Sequence, residues 1–176
     1  YLHAYDGFWL IRNMLEDRKE LQFYLDMAKS IGQKYRNPPV LDQRIRAYEA
    51  RLHLFEGRLT EAAEWLEEFL LLQKPVTGFN QSEWLIAAWT ARAKSDFRAA
   101  RGILKELVGL AEQAGRQRDR IFLGTELVML DLEAGRRAEA IERLQTLLEL
   151  AKPQRYVRTF VDHGEEMYCL LDHLAQ

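Results

Sequence analysis

The chain has one cysteine in 176 residues, Cys169, so no internal disulfide can form and a reducing, cytoplasmic setting is expected. That cysteine sits beside Leu170 and Leu171 and is expected to be buried as a small apolar residue, not reactive. Glycine and proline are also scarce, at 10 and 4 residues, and β-branched runs are nearly missing, which leaves little material for sheets and hairpins. Apolar runs such as Phe69-Leu70-Leu71-Leu72 are far too short to span a bilayer, and no secretory leader is visible, so no membrane partner is expected. Nor is there an excess of basic charge. The formal net charge is −2, which removes the electrostatic footprint of a direct nucleic-acid binder. The balance of 48% hydrophobic and 30% charged residues is that of a folded chain. It opens at Tyr1, not Met, which suggests a piece excised or processed from something longer.

Catalytic signatures are missing as well. There is no Gly-x-x-x-x-Gly-Lys-Ser/Thr loop to cradle nucleotide phosphates. The four histidines, His3, His53, His163 and His173, have no spacing that would hold zinc, so no metal site is expected. No nucleophile elbow or interpretable Ser, His and Asp set occurs. Glu67-Glu68 and Glu165-Glu166 are adjacent pairs whose members diverge around a helix, which suits a solvated surface better than an acid and base pair. The chain therefore reads as non-catalytic, with no cofactor of its own.

What is present is helical periodicity, with apolar residues at i, i+3, i+4 and i+7 over long stretches. Three segments align without gaps: Ala50–Leu66, Ala88–Leu104 and Val128–Leu144. Each carries a turn residue (Gly57, Ser95, Gly135), then alanine five positions on (Ala62, Ala100, Ala140), then leucine four further (Leu66, Leu104, Leu144). A left-handed turn residue lets one helix end and the chain reverse. The alanine admits close approach of the second helix, and the leucine fills the groove between the two. The turns are 95 − 57 = 38 and 135 − 95 = 40 residues apart, longer than the roughly 34 of a tetratricopeptide repeat. A weaker first copy runs through Trp9–Leu15 and Leu21–Leu25, with its turn near Glu16–Lys19. The expectation is an all-α, single-domain superhelical stack of about four antiparallel helix hairpins. They cover about 1–34, 42–74, 82–115 and 120–152, with short connections at 35–41, 74–81 and 115–120 and a capping segment and helix over 153–176.

In such a stack the first helix of each hairpin lines the concave face. Six residues before each turn lie Arg51, Trp89 and Met129, and nine before lie Tyr48, Ile86 and Glu126. Arg92 stands three before its turn, where the other copies have Leu54 and Leu132. Tyr48 and Trp89 as aromatic walls, with Met129 beside them and Arg51, Arg92 and Glu126 as charged clamps, would hold a small molecule or a peptide. The plainer reading has Trp89 and Met129 packing against the next repeat and the arginines solvated or laid along apolar surface by their stems. Trp65 and Trp84 read as core.

The closing stretch Arg155-Tyr-Val-Arg-Thr-Phe-Val-Asp-His-Gly-Glu-Glu-Met167 is unlike an ordinary helix surface. With Gly57–Ala63 and Gly135–Ile141 before it, it resembles the end of the helical sensor region in LuxR-type regulators of the large, ATP-binding MalT kind. The likeness covers about the last 130 residues, and its specific part is the recurring set Tyr156, Arg158, Phe160, Asp162, Gly164, Met167 and Leu171; His163 stands where an acidic residue is common. The resemblance implies an effector-sensing module of a transcriptional activator. A nucleotide-binding switch would precede it and a DNA-binding domain follow it. Its partners would be a small-molecule inducer or peptide, the parent's other domains, and other copies on oligomerisation. The alternative is a tetratricopeptide-type scaffold with no small-molecule ligand. Read from the residues themselves, Pro153 ends a helix and Tyr156 to Phe160 runs extended or as a short turn. Asp162 then caps a last helix striped with Met167, Leu170, Leu171 and Leu174. Tyr156, Phe160 and Met167 would cover the terminal core, with Arg155 and Arg158 reaching carboxylates on the last hairpin.

Overall fold

Helices form wherever the apolar period runs. The computed structural model describes residues 17–35 and 39–175, and among these are nine α-helices and no strand. They are α1 (Arg18–Tyr35), α2 (Pro39–Phe55), α3 (Leu59–Leu71), α4 (Gln81–Ala93), α5 (Phe97–Gln113), α6 (Gln117–Glu133), α7 (Arg137–Ala151), α8 (Arg158–Val161) and α9 (Glu165–Ala175). A 3₁₀ turn, Lys152–Gln154, follows α7. The backbone divides between Ala100 and Arg101 into two compact units. The helix anticipated around Trp9–Leu15 lies outside the described residues. The second helix anticipated for that copy is α1, with Leu21 and Leu25 each 1% exposed. Asp17 caps α1 by accepting from the backbone N–H of Lys19 at 2.8 Å and of Glu20 at 3.1 Å. In the first unit α2 packs on α1 and α3, and α4 packs on both α2 and α3. In the second, α7 packs along α6.

The hairpin turns follow from one local device. Gly57, Ser95 and Gly135 all have positive φ, at 72°, 62° and 73°. Each turn closes with two bonds: the N–H of the turn residue donates to the carbonyl three back, and the next N–H reaches five back. For the last turn these are Gly135 to Leu132 at 2.9 Å and Arg136 to Asp131 at 2.7 Å. Gly115 (φ 66°) builds the same turn between α5 and α6, with Arg116 N–H to the Ala111 carbonyl at 2.8 Å. That junction was anticipated as a short connection over 115–120, yet α6 already begins at Gln117 and the turn is as tight as those inside the hairpins. Ser95 alone bears a side chain among these four, and a left-handed conformation costs an L-residue about 1–2 kcal/mol. Ser95→Gly is therefore expected to stabilise the chain by about 1 kcal/mol. Gly135→Ala, whose added methyl meets nothing within 4 Å, should destabilise by a similar backbone-only amount. Urea denaturation of the two variants checks both signs.

The alanines and leucines behave as the repeat logic requires. Ala62, Ala100 and Ala140 are 0% exposed, and Leu66, Leu104 and Leu144 are 5%, 1% and 0% exposed. Trp65 stacks on Phe69 with centroids 5.1 Å apart, and Phe69 meets the edge of Trp84 at 4.9 Å, joining α3 to α4. α6 is buried continuously from Ile121 to Asp131, so it shows almost no amphipathic face. Gly124 lies in its middle, where glycine weakens a helix. A Cβ there would come 2.6 Å from Cδ2 of Leu147, so the glycine permits the close approach of α6 and α7.

Of the two forms anticipated for Tyr156 to Phe160 the short turn is found, Arg158–Val161 being a single helical turn. The closing segment departs from expectation in three other details. Asp162 does not cap the last helix; it ends α8 in a right-handed conformation, with its carboxylate 3.6 Å from Nε of Arg158 one turn back. Arg158 thus pairs within its own segment, its side chain 89% exposed. Gly164 (φ 78°) makes the turn into α9 instead. Third, Cys169 is exposed, because α9 is striped and Cys169 falls on its outer side. Phe160 (3% exposed), Met167 (0%) and Leu170 (0%) join the core of the second unit with Val128, Leu144 and Leu147, and Tyr156, Leu171 and Leu174 lean on its edge.

Candidate ligand-binding face

In the first unit, α2 and α4 bring four of the six anticipated binding residues onto packed helices. Tyr48, Arg51 and Phe55 fall at i, i+3 and i+7 on α2, one face of the helix. The Arg51 guanidinium lies 4.1 Å from the Phe55 ring centroid and 4.2 Å from that of Trp89 on α4. Trp89 is only 8% exposed, so its indole shows an edge and not a platform. Arg51 and Arg92 stay half-buried. Arg51 is therefore a cation held on two aromatic faces, a preorganised charge on the surface of the unit.

A buried polar network supports this face from below. Arg44 Nε donates to Glu83 Oε1 at 3.1 Å, and Ser82 Oγ donates to Glu83 Oε2 at 2.7 Å. The Glu83 side chain is 5% exposed, so the Arg44 charge and the Ser82 hydroxyl replace the water it has lost. The Tyr48 hydroxyl hydrogen-bonds Ser82, and burial pushes its pKa up to about 12, against the opposing pull of Arg44 and that bond. Tyr48 stays a neutral phenol throughout the physiological range.

The other two anticipated residues, Glu126 and Met129, lie on α6 in the second unit. Met129 is 5% exposed and packed in its hydrophobic core, so its side chain is committed there. Glu126 is 6% exposed and faces His163, with Nε2 4.0 Å from Oε1. His163 thus stands over a buried carboxylate, where an acidic side chain would be repelled.

A charged cluster in the second unit was not anticipated. Asp131, 0% exposed, faces three guanidinium groups: Arg101 at 3.1 Å, Arg136 at 3.0 Å and Arg143 at 3.5 Å. Its carbonyl also takes the turn amide of Arg136, so one residue holds that turn by main chain and side chain together. Beside the capping segment an open apolar groove of about 540 Å³ is lined by Leu148, Tyr156, Val157, Phe160, Val161 and Leu171. Among the described residues there is no cluster of side chains that could hold a metal ion, and no helix long and apolar enough to cross a membrane.

Antiparallel helix pairs, closed by left-handed turns and packed through alanine, define a helical-repeat protein of the tetratricopeptide kind. The chain belongs to the MalT-like TPR region family, which matches residues 2–176. It is 32% identical over 123 residues to the HTH-type transcriptional regulator MalT of Klebsiella pneumoniae (strain 342), an alignment that covers 68% of this chain. The chain spans 13% of the length of that relative. No solved structure matches it significantly.

Proposed function

We propose that the chain is the effector-sensing and protein-interaction module of an ATP-dependent, LuxR-type bacterial transcriptional activator. In this reading it is cytoplasmic, non-catalytic and without a cofactor, and it governs a DNA-binding domain elsewhere in the parent without touching nucleic acid itself. The observation that carries the reading is the family match along residues 2–176, together with the likeness to a transcriptional regulator. The ligand, a small-molecule inducer or a peptide, would be met by Arg51, Trp89 and Arg92, with Tyr48 contributing its ring. A charge already fixed on two rings loses little side-chain entropy on binding, which suits it to an anionic or polyhydroxylated ligand. The apolar groove by the cap supports contact with other parts of the parent or with a second copy.

The second reading is a peptide-binding scaffold without a small-molecule ligand, favoured by the open apolar groove of about 540 Å³ beside the capping segment. A thermal-shift screen of sugars, small alcohols and organic acids, run beside peptide arrays, separates the two. A small-molecule hit abolished in the Trp89→Ala, Arg92→Ala double variant supports the sensor. Peptide hits alone would sink it.

A further inference from the structure

The cleft between α5, α6 and α7 in the second unit has an unusual division of charge. It encloses about 290 Å³ and is lined by Arg101 from α5, Arg120 and Gly124 from α6, and Glu139, Glu142 and Arg143 from α7. That volume has room for a small molecule. Arg101 and Arg143 are drawn inward to the same buried carboxylate, Asp131. One carboxylate does not fully satisfy them: Nε of Arg143 is buried without a hydrogen-bond partner, and Nε of Arg101, 3.1 Å from Asp131 Oδ1, forms an ion pair there but no aligned hydrogen bond. Arg136 shares that carboxylate too, so the cluster holds three cations on one anion. The inner end of the cleft therefore carries excess positive charge in a partly desolvated place, where it is costly.

The outer wall has the opposite sign. Glu139, Glu142, Arg143 and Thr146 fall at i, i+3, i+4 and i+7 on α7, one face of that helix. Both glutamates are exposed and neither forms an ion pair among the described residues, although Arg143 is within one turn of each. Asp131 has taken the arginine away from them. Positive and negative groups thus face one small cavity, with Val108, Gly124 and Leu147 among its apolar lining.

We propose that this cleft binds a free α-amino acid, its carboxylate on the guanidinium groups of Arg101 and Arg143 and its ammonium group toward Glu139 and Glu142. Arg120, held 3.0 Å from Glu112, also lines the cleft. A simple anion would be attracted inward but repelled at the mouth, and a simple cation the reverse; only a zwitterion satisfies both ends. The cavity is too small for a folded peptide segment. This site is independent of the Arg51–Trp89 face and does not require it to bind anything.

Isothermal titration of the chain with each free amino acid tests the proposal, with acetate, methylammonium and an N-acetyl amino-acid amide as controls. At least one amino acid is expected to bind at millimolar concentration or below, with all three controls weaker. The Glu139→Gln, Glu142→Gln variant changes only exposed side chains, so folding is preserved. It should weaken the amino acid about fivefold while leaving acetate as tight or tighter. No heat from any free amino acid, equal binding of acetate, or an unchanged amino-acid affinity in the double variant would each overturn the assignment.

Discussion

Asp131→Ala is expected to destabilise the chain by about 3–5 kcal/mol, the cost of removing one partner from a buried ionic cluster. Three guanidinium groups converge on this side chain, which has no exposure to water. Without it they repel one another in a place that water enters poorly. The carboxylate also grips Arg136, so the left-handed turn at Gly135 loses a side-chain anchor. A leucine lost from a core leaves a cavity, but here the loss also leaves charge. The distinction is measurable. Adding Arg143→Met to Asp131→Ala should recover part of the stability in urea denaturation, because it removes one of the stranded cations. If Asp131→Ala costs less than about 1 kcal/mol, the cluster is solvated and its buried character is wrong.

The second large effect concerns the closing segment. Met167→Ala should cost about 2–5 kcal/mol, the range for truncating a fully buried large apolar side chain. Met167 is 0% exposed and packs in the core made by α6, α7, Phe160 and Leu170. The loss should extend beyond α9. Amides of α7 near Leu144 and Leu147 should exchange faster, since their apolar side chains share that core. Tyr168→Ala, one residue along and 68% exposed, is the control and should be nearly neutral. Equal, small effects from both variants would mean that the segment does not close the core.

The hairpins were legible because their requirements are local. A positive φ at Gly57 or Gly135, and zero clearance at Ala62 or Ala140, leave a residue-type signature at fixed spacing. Even Ser95 kept its place in that register without being glycine, since spacing and not identity alone marked it. Gly115 is legible as the start of a short connection, but an inter-repeat junction need not close on a left-handed residue, and only the backbone shows that this one does. The family was legible in the Tyr156–Leu171 stretch, although the part assigned to Asp162 was not. A cap and a C-terminal residue differ by one turn of register that composition does not fix.

The candidate sites were legible only in part. Arg51 and Trp89 were singled out from their position before the turn, but their mutual stacking depends on how α2 meets α4. Met129 occupies the same register position and is core, so the register alone cannot tell a face from a filling. Asp131 left no local trace: its partners are 30 residues before it and 5 and 12 after it, as 131 − 101, 136 − 131 and 143 − 131. One signal was available. A lone carboxylate inside Leu127-Val-Met-Leu-Asp-Leu132 requires cations from elsewhere if the stretch is buried.

In the function proposed, this helical-repeat module works by binding, on the face where Arg51 lies against Trp89. The most direct test is nitrogen–proton NMR of the indole groups during titration with the hits of the ligand screen. The chain has four tryptophans, so the indole N–H signals are few enough to assign by substitution. The Trp89 signal is expected to shift in proportion to occupancy, while those of Trp65 and Trp84, in the aromatic stack, hold still. A ligand that binds tightly and leaves Trp89 unmoved, or moves all the indoles alike, would contradict it.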